Sequence, residues 1–317
     1  MQLHCWQVPM RTRFRGITTR EGMLVRGAAG WAEWSPFTEY DDAEAANWWA
    51  AAREAAETGF PAPVRDRVAV NVTVPAVDFA QAHAIVSGSS CRTAKVKVAE
   101  RGQYLSDDLD RIEAVRDAIG PRGRIRVDAN GGWDVETAVD ALKQLGRFGL
   151  EYAEQPCASV EELAQLRREL ARRGIDVPIA ADESIRRAAD PQRVVELEAA
   201  DVAVLKVQPL GGVRRCLELA EQLGLPVVVS SALETSVGIR MGVALAAALP
   251  ELPYACGLNT LALFADDVAA VPLVATDGSL LVRDVLVDGD ALARLAAPSG
   301  REQWWTQRLA RVQEVCA

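Results

Sequence analysis

The sequence predicts an α/β fold in which eight parallel strands close into a (β/α) barrel behind a small α+β unit. Three observations carry this. From about Arg67 onward, short continuous apolar runs alternate with amphipathic helical patterns, as in a parallel sheet covered on both faces. The ends of those runs recur about every 24 to 31 residues, one strand–helix unit each. An open doubly wound sheet would carry a glycine-rich nucleotide turn, and neither GxGxxG nor GxxxxGK(S/T) is present.

The elements follow in order. In the first sixty residues, Trp31-Ala-Glu-Trp34 alternates as a strand, and 43–58 is an alanine-rich helix with acidic residues near its start. Eight strands are predicted at 68–74, 93–98, 125–128, 150–154, 177–182, 202–206, 226–230 and 252–256. Helices are predicted at 105–119, 135–145, 160–170 and 213–223. Beyond the eighth strand, Thr276-Asp-Gly-Ser279 reads as a hairpin turn and 301–314 as a last helix holding Trp304-Trp305. That tail is expected to pack back on the N-terminal unit.

Bulk properties narrow the function. A formal charge of −9 over 317 residues argues against a nucleic-acid surface, which needs clustered Lys and Arg. It leaves room for a small anionic substrate, because a metal ion or local lysines can reverse the sign inside a pocket. The six cysteines (Cys5, Cys91, Cys157, Cys216, Cys256, Cys316) show no CxxC or Cys/His cluster. Neither a zinc site nor a disulfide framework is expected, and reduced thiols in a cytoplasmic enzyme fit. The N-terminus reaches Arg11 and Arg13 without the apolar run of a secretory signal, and the uncharged stretch 241–250 is too short for a bilayer. A soluble protein without membrane partner is expected. The oligomeric state stays open, and a monomer is compatible with the sequence.

In a barrel of this kind the active site forms at the C-terminal ends of the strands. Five consecutive ends here carry charge: Lys95 and Lys97, then Asp128, Glu154, Asp182 and Lys206. Period-2 geometry puts Lys95 and Lys97 on one face, and likewise Asp128 and Asn130. Singly, each residue has an ordinary structural reading. Asp128 and Asp182 could cap helices, Glu154 could be a solvated loop carboxylate, and the lysines could line an edge strand. Jointly they argue for function, because an unpaired charge on a covered strand costs several kcal/mol. Three carboxylates on adjacent strands repel unless a cation sits between them, and oxygen donors with water suit Mg²⁺. Lysines would then face each other across the metal. A divalent ion on a substrate carboxylate stabilises the charge left when the neighbouring carbon loses a proton, and a neutral lysine can take that proton. Lys95 and the metal lower the pKa of Lys97 while the carboxylates raise it, so the net direction stays open.

Lys95-Val-Lys97, Asp128-Ala-Asn130, Glu154-Gln-Pro156, Asp182-Glu-Ser184 and Lys206-Val-Gln-Pro-Leu-Gly-Gly212 resemble, in order and spacing, the muconate-lactonizing subgroup of the enolase superfamily. The resemblance covers nearly the whole chain. It implies a modified TIM barrel, (β/α)7β, over 65–265, with an α+β capping domain begun by 1–64 and joined by the C-terminal segment 266–317. Within the subgroup, the compact length, Gly30-Trp-Ala-Glu-Trp-Ser-Pro-Phe37 and Ser230-Ser-Ala-Leu-Glu-Thr-Ser-Val-Gly238 resemble the o-succinylbenzoate synthase family of short bacterial type. That family dehydrates 2-succinyl-6-hydroxy-2,4-cyclohexadiene-1-carboxylate in menaquinone synthesis, so the substrate implied is a small anionic carboxylate.

By resemblance, Asp128, Glu154 and Asp182 bind Mg²⁺, for which Mn²⁺ can substitute. Lys97 removes the proton next to the carboxylate and returns it to the departing hydroxide. Lys206 stabilises the enediolate from the opposite face, and Lys95 supports Lys97 electrostatically. A lysine base working with magnesium is a pattern of the superfamily, so these roles come with the resemblance. Several further residues have functional and ordinary readings side by side. Glu183 and Asn130 could orient the ligands, and Ser230, Ser231 and Gly211-Gly212 could hold the succinyl end. Arg13, Arg15 and Arg20 could close as a lid.

Other subgroup enzymes share these ligands and lysines: N-acylamino acid racemases, dipeptide epimerases and cycloisomerases. Dipeptide epimerases place Asp-x-Asp after the eighth strand, where this chain has Cys256-Gly-Leu258. A mandelate-type site wants a histidine near the seventh strand, and the chain has only His4 and His83. A barrel retained solely for binding would be free to lose a ligand or a lysine, and none is missing. A serine hydrolase lacks both a suitable histidine and GxSxG.

Overall fold

The structure, a computed structural model, describes residues 1–188 and 190–316. It begins with a three-stranded antiparallel sheet, β1 (Gln2–Phe14), β2 (Ile17–Gly27) and β3 (Gly30–Trp34), in that order. Arg15 and Gly16, both at positive φ, make the two-residue turn between β1 and β2. The alanine-rich helix follows as α1 (Asp42–Arg53), started by Asp41, whose side chain accepts the Glu44 N–H at 2.7 Å. It widens into one π-helical turn over Glu54–Thr58.

The first expected barrel strand divides in two. β4 (Arg67–Ala69) leaves the barrel to pair antiparallel with β12 (Ser279–Leu281), and β5 (Val72–Val74) stays in it. The strands β6 (Thr93–Lys97), β7 (Arg124–Asp128), β8 (Leu150–Glu154), β9 (Ile179–Ala181), β10 (Val202–Leu205) and β11 (Val227–Val229) extend β5 into a seven-stranded parallel sheet in sequential order. Its edges meet through Cys256, which bridges to Val70, and Gly257, which bridges to Ser230. The expected eighth strand, 252–256, is therefore only a two-residue closure. Pro250 and Pro253, which have no N–H to give a ladder, account for its brevity. The turn expected at 276–279 is present, with Asp277 and Gly278 at positive φ and Thr276 bridged to Ser279.

Around the sheet run α2 (Phe79–Ser87), α3 (Leu105–Ile119), α4 (Val135–Leu145), α5 (Val160–Arg172), the short α6 (Glu183–Arg186), α7 (Arg193–Glu196) and α8 (Val207–Leu210), then α9 (Val213–Leu223) and α10 (Ser236–Ala248). The predicted helices at 105–119, 135–145 and 213–223 coincide with α3, α4 and α9, and α5 runs two residues past its predicted end. α2 and α10 were not foreseen. α10 has one charged residue, Arg240, and is buried nearly all round, so it lacks the polar stripe that marks a surface helix. The chain ends with α11 (Gly289–Arg294) and α12 (Ser299–Val315), and α12 lies against α1. There the Trp305 ring meets Trp34 edge-on at 5.3 Å. Among the described residues, no helix is long and apolar enough to cross a membrane.

Candidate active site

The parallel register sets Lys97 beside Asp128 and Asp128 beside Glu154. Asp182 and Lys206 follow directly after β9 and β10. The six charged residues singled out in the sequence therefore form one row across five adjacent strands, all nearly buried. Lys95 Nζ lies 3.0 Å from Glu154 Oε1 and 3.2 Å from Asp128 Oδ2, so one ammonium bridges two carboxylates. Lys97 Nζ contacts the same Asp128 oxygen at 2.6 Å and donates to Asn130 Oδ1 at 2.6 Å. At the far end, Lys206 Nζ donates to Asp182 Oδ2 at 2.5 Å, while Arg186 Nε donates to Oδ1 at 2.9 Å.

Asp128 and Glu154 thus share one cationic atom, while Asp182 is held separately by Lys206 and Arg186. Among the described residues, no three His, Cys, Asp or Glu side chains gather about a common point. Each carboxylate is paired instead with an ammonium or guanidinium at close range.

The titration directions follow from the same contacts. Burial lowers Lys97, Asp128 opposes this and Lys95 adds to it, and the net shift is downward. The direction left open by the sequence is therefore decided by desolvation. Burial also works against the Lys95 ammonium, but Glu154 and Asp128 outweigh it and hold Lys95 above its ordinary value. Asp128 and Asp182 resist the upward push of burial. Lys97 and Lys95 hold the first low, and Arg186 and Lys206 the second. Glu154 is different: burial and then Asp128 push it up to about 7 in spite of Lys95. The row's three carboxylates are matched by three ammonium groups, so burial leads the Glu154 shift.

Asn130, in a left-handed conformation, donates from Nδ2 to Glu183 Oε1 at 3.3 Å, so both touch the row. Glu183 Oε2 is buried without a partner. Gln155 was quoted within its motif but given no role. Its Oε1 accepts the backbone N–H groups of Asp182 and Ser184 at 3.0 and 3.1 Å, which fixes where Asp182 leaves its strand. Two expectations need correction. Arg20 is no lid residue, because it is fully buried and donates to the Leu233 carbonyl at 2.9 Å. Gly212 faces the cap, where a Cβ would meet the Glu54 carboxylate. The Ser231 hydroxyl shares a hydrogen bond with the Thr260 hydroxyl at 2.6 Å.

Lys97 and Asn130 open into a cavity of about 580 Å³ whose wall includes Arg13 near the end of β1, Arg15 of the β1–β2 turn and Arg101 of the barrel. Lys206 does not line it. Three arginines and a lysine against one carboxylate, Glu100, leave the void cationic, which suits an anionic ligand.

Residues 5–56 match the family described as Enolase N-terminal domain-like, and residues 78–286 match Enolase C-terminal domain-like. An o-succinylbenzoate synthase of Thermobifida fusca is 64% identical over 303 residues, 96% of this chain and 93% of that one. Another, of Mycolicibacterium smegmatis, is 55% identical over 97% of this chain and 94% of its own length. The chain belongs to the o-succinylbenzoate synthase family of the enolase superfamily. It is an enzyme, a carbon–oxygen lyase. Solved structures extend the likeness of this synthase-family chain at the level of fold. Muconate lactonizing enzyme from Pseudomonas fluorescens, complexed with muconolactone, superposes with a TM-score of 0.79 at 22% identity, covering 93% of this chain and 98% of that one. N-succinyl Arg/Lys racemase from Bacillus cereus superposes with a TM-score of 0.77 at 18% identity, covering 93% and 97%. Like them, the synthase-family chain is a capped TIM barrel.

Proposed function

We propose that this chain dehydrates 2-succinyl-6-hydroxy-2,4-cyclohexadiene-1-carboxylate to 2-succinylbenzoate with Mg²⁺, in the cytoplasm, as a step of menaquinone synthesis. The observation that carries the reading is the complete row of three buried carboxylates with a lysine at either end, in a chain 64% identical to a protein named for that product. The partner proposed is a small anionic carboxylate alone, with no nucleic acid and no membrane.

The donor set fits a hard divalent cation. Asp128, Glu154 and Asp182 offer only oxygen, the donor type that such an ion prefers. When bound, the ion supplies charge stabilisation for the substrate carboxylate and the enediolate derived from it. The protein's own groups do the rest. Arg13, Arg15 and Arg101 attract the substrate anion into the cavity. Lys97, lowered by burial and oriented by Asn130, takes the proton from the carbon beside the carboxylate. Lys206, at the other end of the row, keeps positive charge next to the enediolate. The proton then passes from Lys97 to the hydroxyl as its C–O bond breaks, and water leaves as the ring becomes aromatic.

A second reading, N-acylamino acid racemisation, is favoured by one observation: a lysine stands at each end of the row, as two-base chemistry requires. The test is to incubate the protein with the cyclohexadiene substrate and, separately, with an N-acyl amino acid. Each assay is run with Mg²⁺, after EDTA, and after Mn²⁺ is added back. Aromatic product that disappears with EDTA and returns with metal is expected. Racemisation without dehydration would select the second reading, and turnover that survives chelation would reject the metal.

A further inference from the structure

Tyr40 belongs to the cap, in the loop between β3 and α1, yet its hydroxyl reaches the strand-end row. Arg186 gives one donor to each of three acceptors: Nε to Asp182 Oδ1 at 2.9 Å, one terminal nitrogen to Glu183 Oε1 at 2.6 Å, and the other to the Tyr40 hydroxyl at 3.0 Å. The Arg186 side chain is 3% exposed, so all three contacts are made away from solvent. Tyr40 is itself held from behind. Arg308 of α12 donates to the Tyr40 carbonyl at 2.7 Å and the Phe37 carbonyl at 3.1 Å, and the Tyr40 ring packs edge-on against Phe37 and Trp48. The same hydroxyl accepts from Arg15, at the tip of the β1–β2 turn, at 3.4 Å.

We propose that Tyr40 is a positioning residue for Asp182, its hydroxyl fixing Arg186, which in turn fixes the carboxylate that the metal needs. The physics is that of a donor fork with a fixed shape. A guanidinium is planar and rigid, so anchoring one nitrogen determines the line along which the others point. The two lone pairs of the phenol oxygen accept both arginines, which ties the turn over the cavity to the third carboxylate. This inference rests on the reading of Asp182 as a metal ligand.

The test uses the full chain as Tyr40→Phe, Arg186→Lys, the double variant and Asp182→Asn. Mn²⁺ binding is followed by the EPR signal of free Mn²⁺ without substrate, and melting is recorded in EDTA. Groups bonded directly to a ligand typically change metal affinity 10–100-fold, and Tyr40 acts one bond further out, so Tyr40→Phe should weaken binding by about 3- to 10-fold. In the Arg186→Lys background the same change should add less than about twofold, because its route is gone. The proposal is overturned if Tyr40→Phe binds Mn²⁺ as the unmodified chain does, whether or not its melting point falls, or if its loss persists undiminished in the Arg186→Lys background. Equal binding by the unmodified chain and Asp182→Asn would instead remove the ligand reading beneath it.

Discussion

Two of the clusters of buried charge within this fold are neutralised by different means. At the strand ends, ammonium groups meet carboxylates: Lys95 with Glu154 and Asp128, Lys97 with Asp128, Lys206 with Asp182. At the seam between cap and barrel, Arg20, Glu33 and Glu234 are satisfied mostly by main chain. The Glu33 carboxylate accepts the N–H groups of Thr235 and Gly238 at 3.1 and 3.2 Å, at the N-terminus of α10, and the Ser35 hydroxyl at 2.7 Å. Glu234 accepts the Ala232 N–H at 2.7 Å, and Arg20 donates to the carbonyls of Leu233 and Ala232. A Cβ on Gly238 would lie 3.0 Å from the Glu33 carboxyl carbon and 2.4 Å from Glu234 Cβ, so the approach tolerates only glycine. Main-chain partners cannot leave without unwinding the element that bears them. Side-chain partners can. A site that must admit a cation and move a proton needs the second kind, and a hinge-free seam needs the first.

Removing a side chain therefore has different consequences in the two clusters. Lys97→Ala should lose about 10³-fold in kcat, the usual scale for a general base, and Lys206→Ala about 10²- to 10³-fold, the scale for an electrostatic group. Both should melt close to the unmodified chain, since each leaves carboxylates that other cations can reach. Normal turnover in either variant would falsify its catalytic assignment. Arg20→Met should do the reverse. Stranding the carbonyls and the two seam carboxylates costs about 3 kcal/mol, read from the urea midpoint at constant m-value. If its stability is unchanged, the seam is not held by charge as described.

The strand-end row was legible because a parallel strand covered on both faces has almost no other reason to carry charge. A stronger signal also lay in the composition. Of 35 basic residues only four are lysines, and three of those are Lys95, Lys97 and Lys206. Arginine serves nearly everywhere else, so lysine itself marks the site. The seam was not legible. In Trp31-Ala-Glu-Trp34 nothing separates Glu33 from a solvent-facing strand residue, and its partner Thr235 lies 202 positions away. Arg20 read as a lid for the same reason, because its burial comes from carbonyls more than 200 positions distant. The long strand β1 was legible but overlooked: Trp6, Val8, Met10 and Phe14 alternate with Gln7, Pro9, Arg11 and Arg13 along it. Short-range periodicity shows what one element buries. It cannot show a charge whose partners arrive with a distant one.

The smallest expected effect probes the seam without disrupting it. Burial, and then Glu234, push Glu33 up to about 8, while hydrogen bonds from Thr235 and Ser35 and the charge of Arg20 hold it back. The unfolded chain would release that proton near pH 4.3. Between those values the native state binds more protons than the unfolded state, so stability falls as pH rises and stops falling above about 8. In Glu33→Gln the amide does not titrate. Comparing urea unfolding at pH 6 and pH 8, the unmodified chain should lose about 2 kcal/mol more than the variant. Burial also raises Glu234, so Glu234→Gln serves as the control that separates the two carboxyls. Parallel behaviour of the unmodified chain and Glu33→Gln would mean that the α10 N-terminus outweighs desolvation and that Glu33 is ionised throughout. The seam would then hold a permanent ion on main-chain dipoles, which draws the contrast with the exchangeable strand-end charges more sharply still.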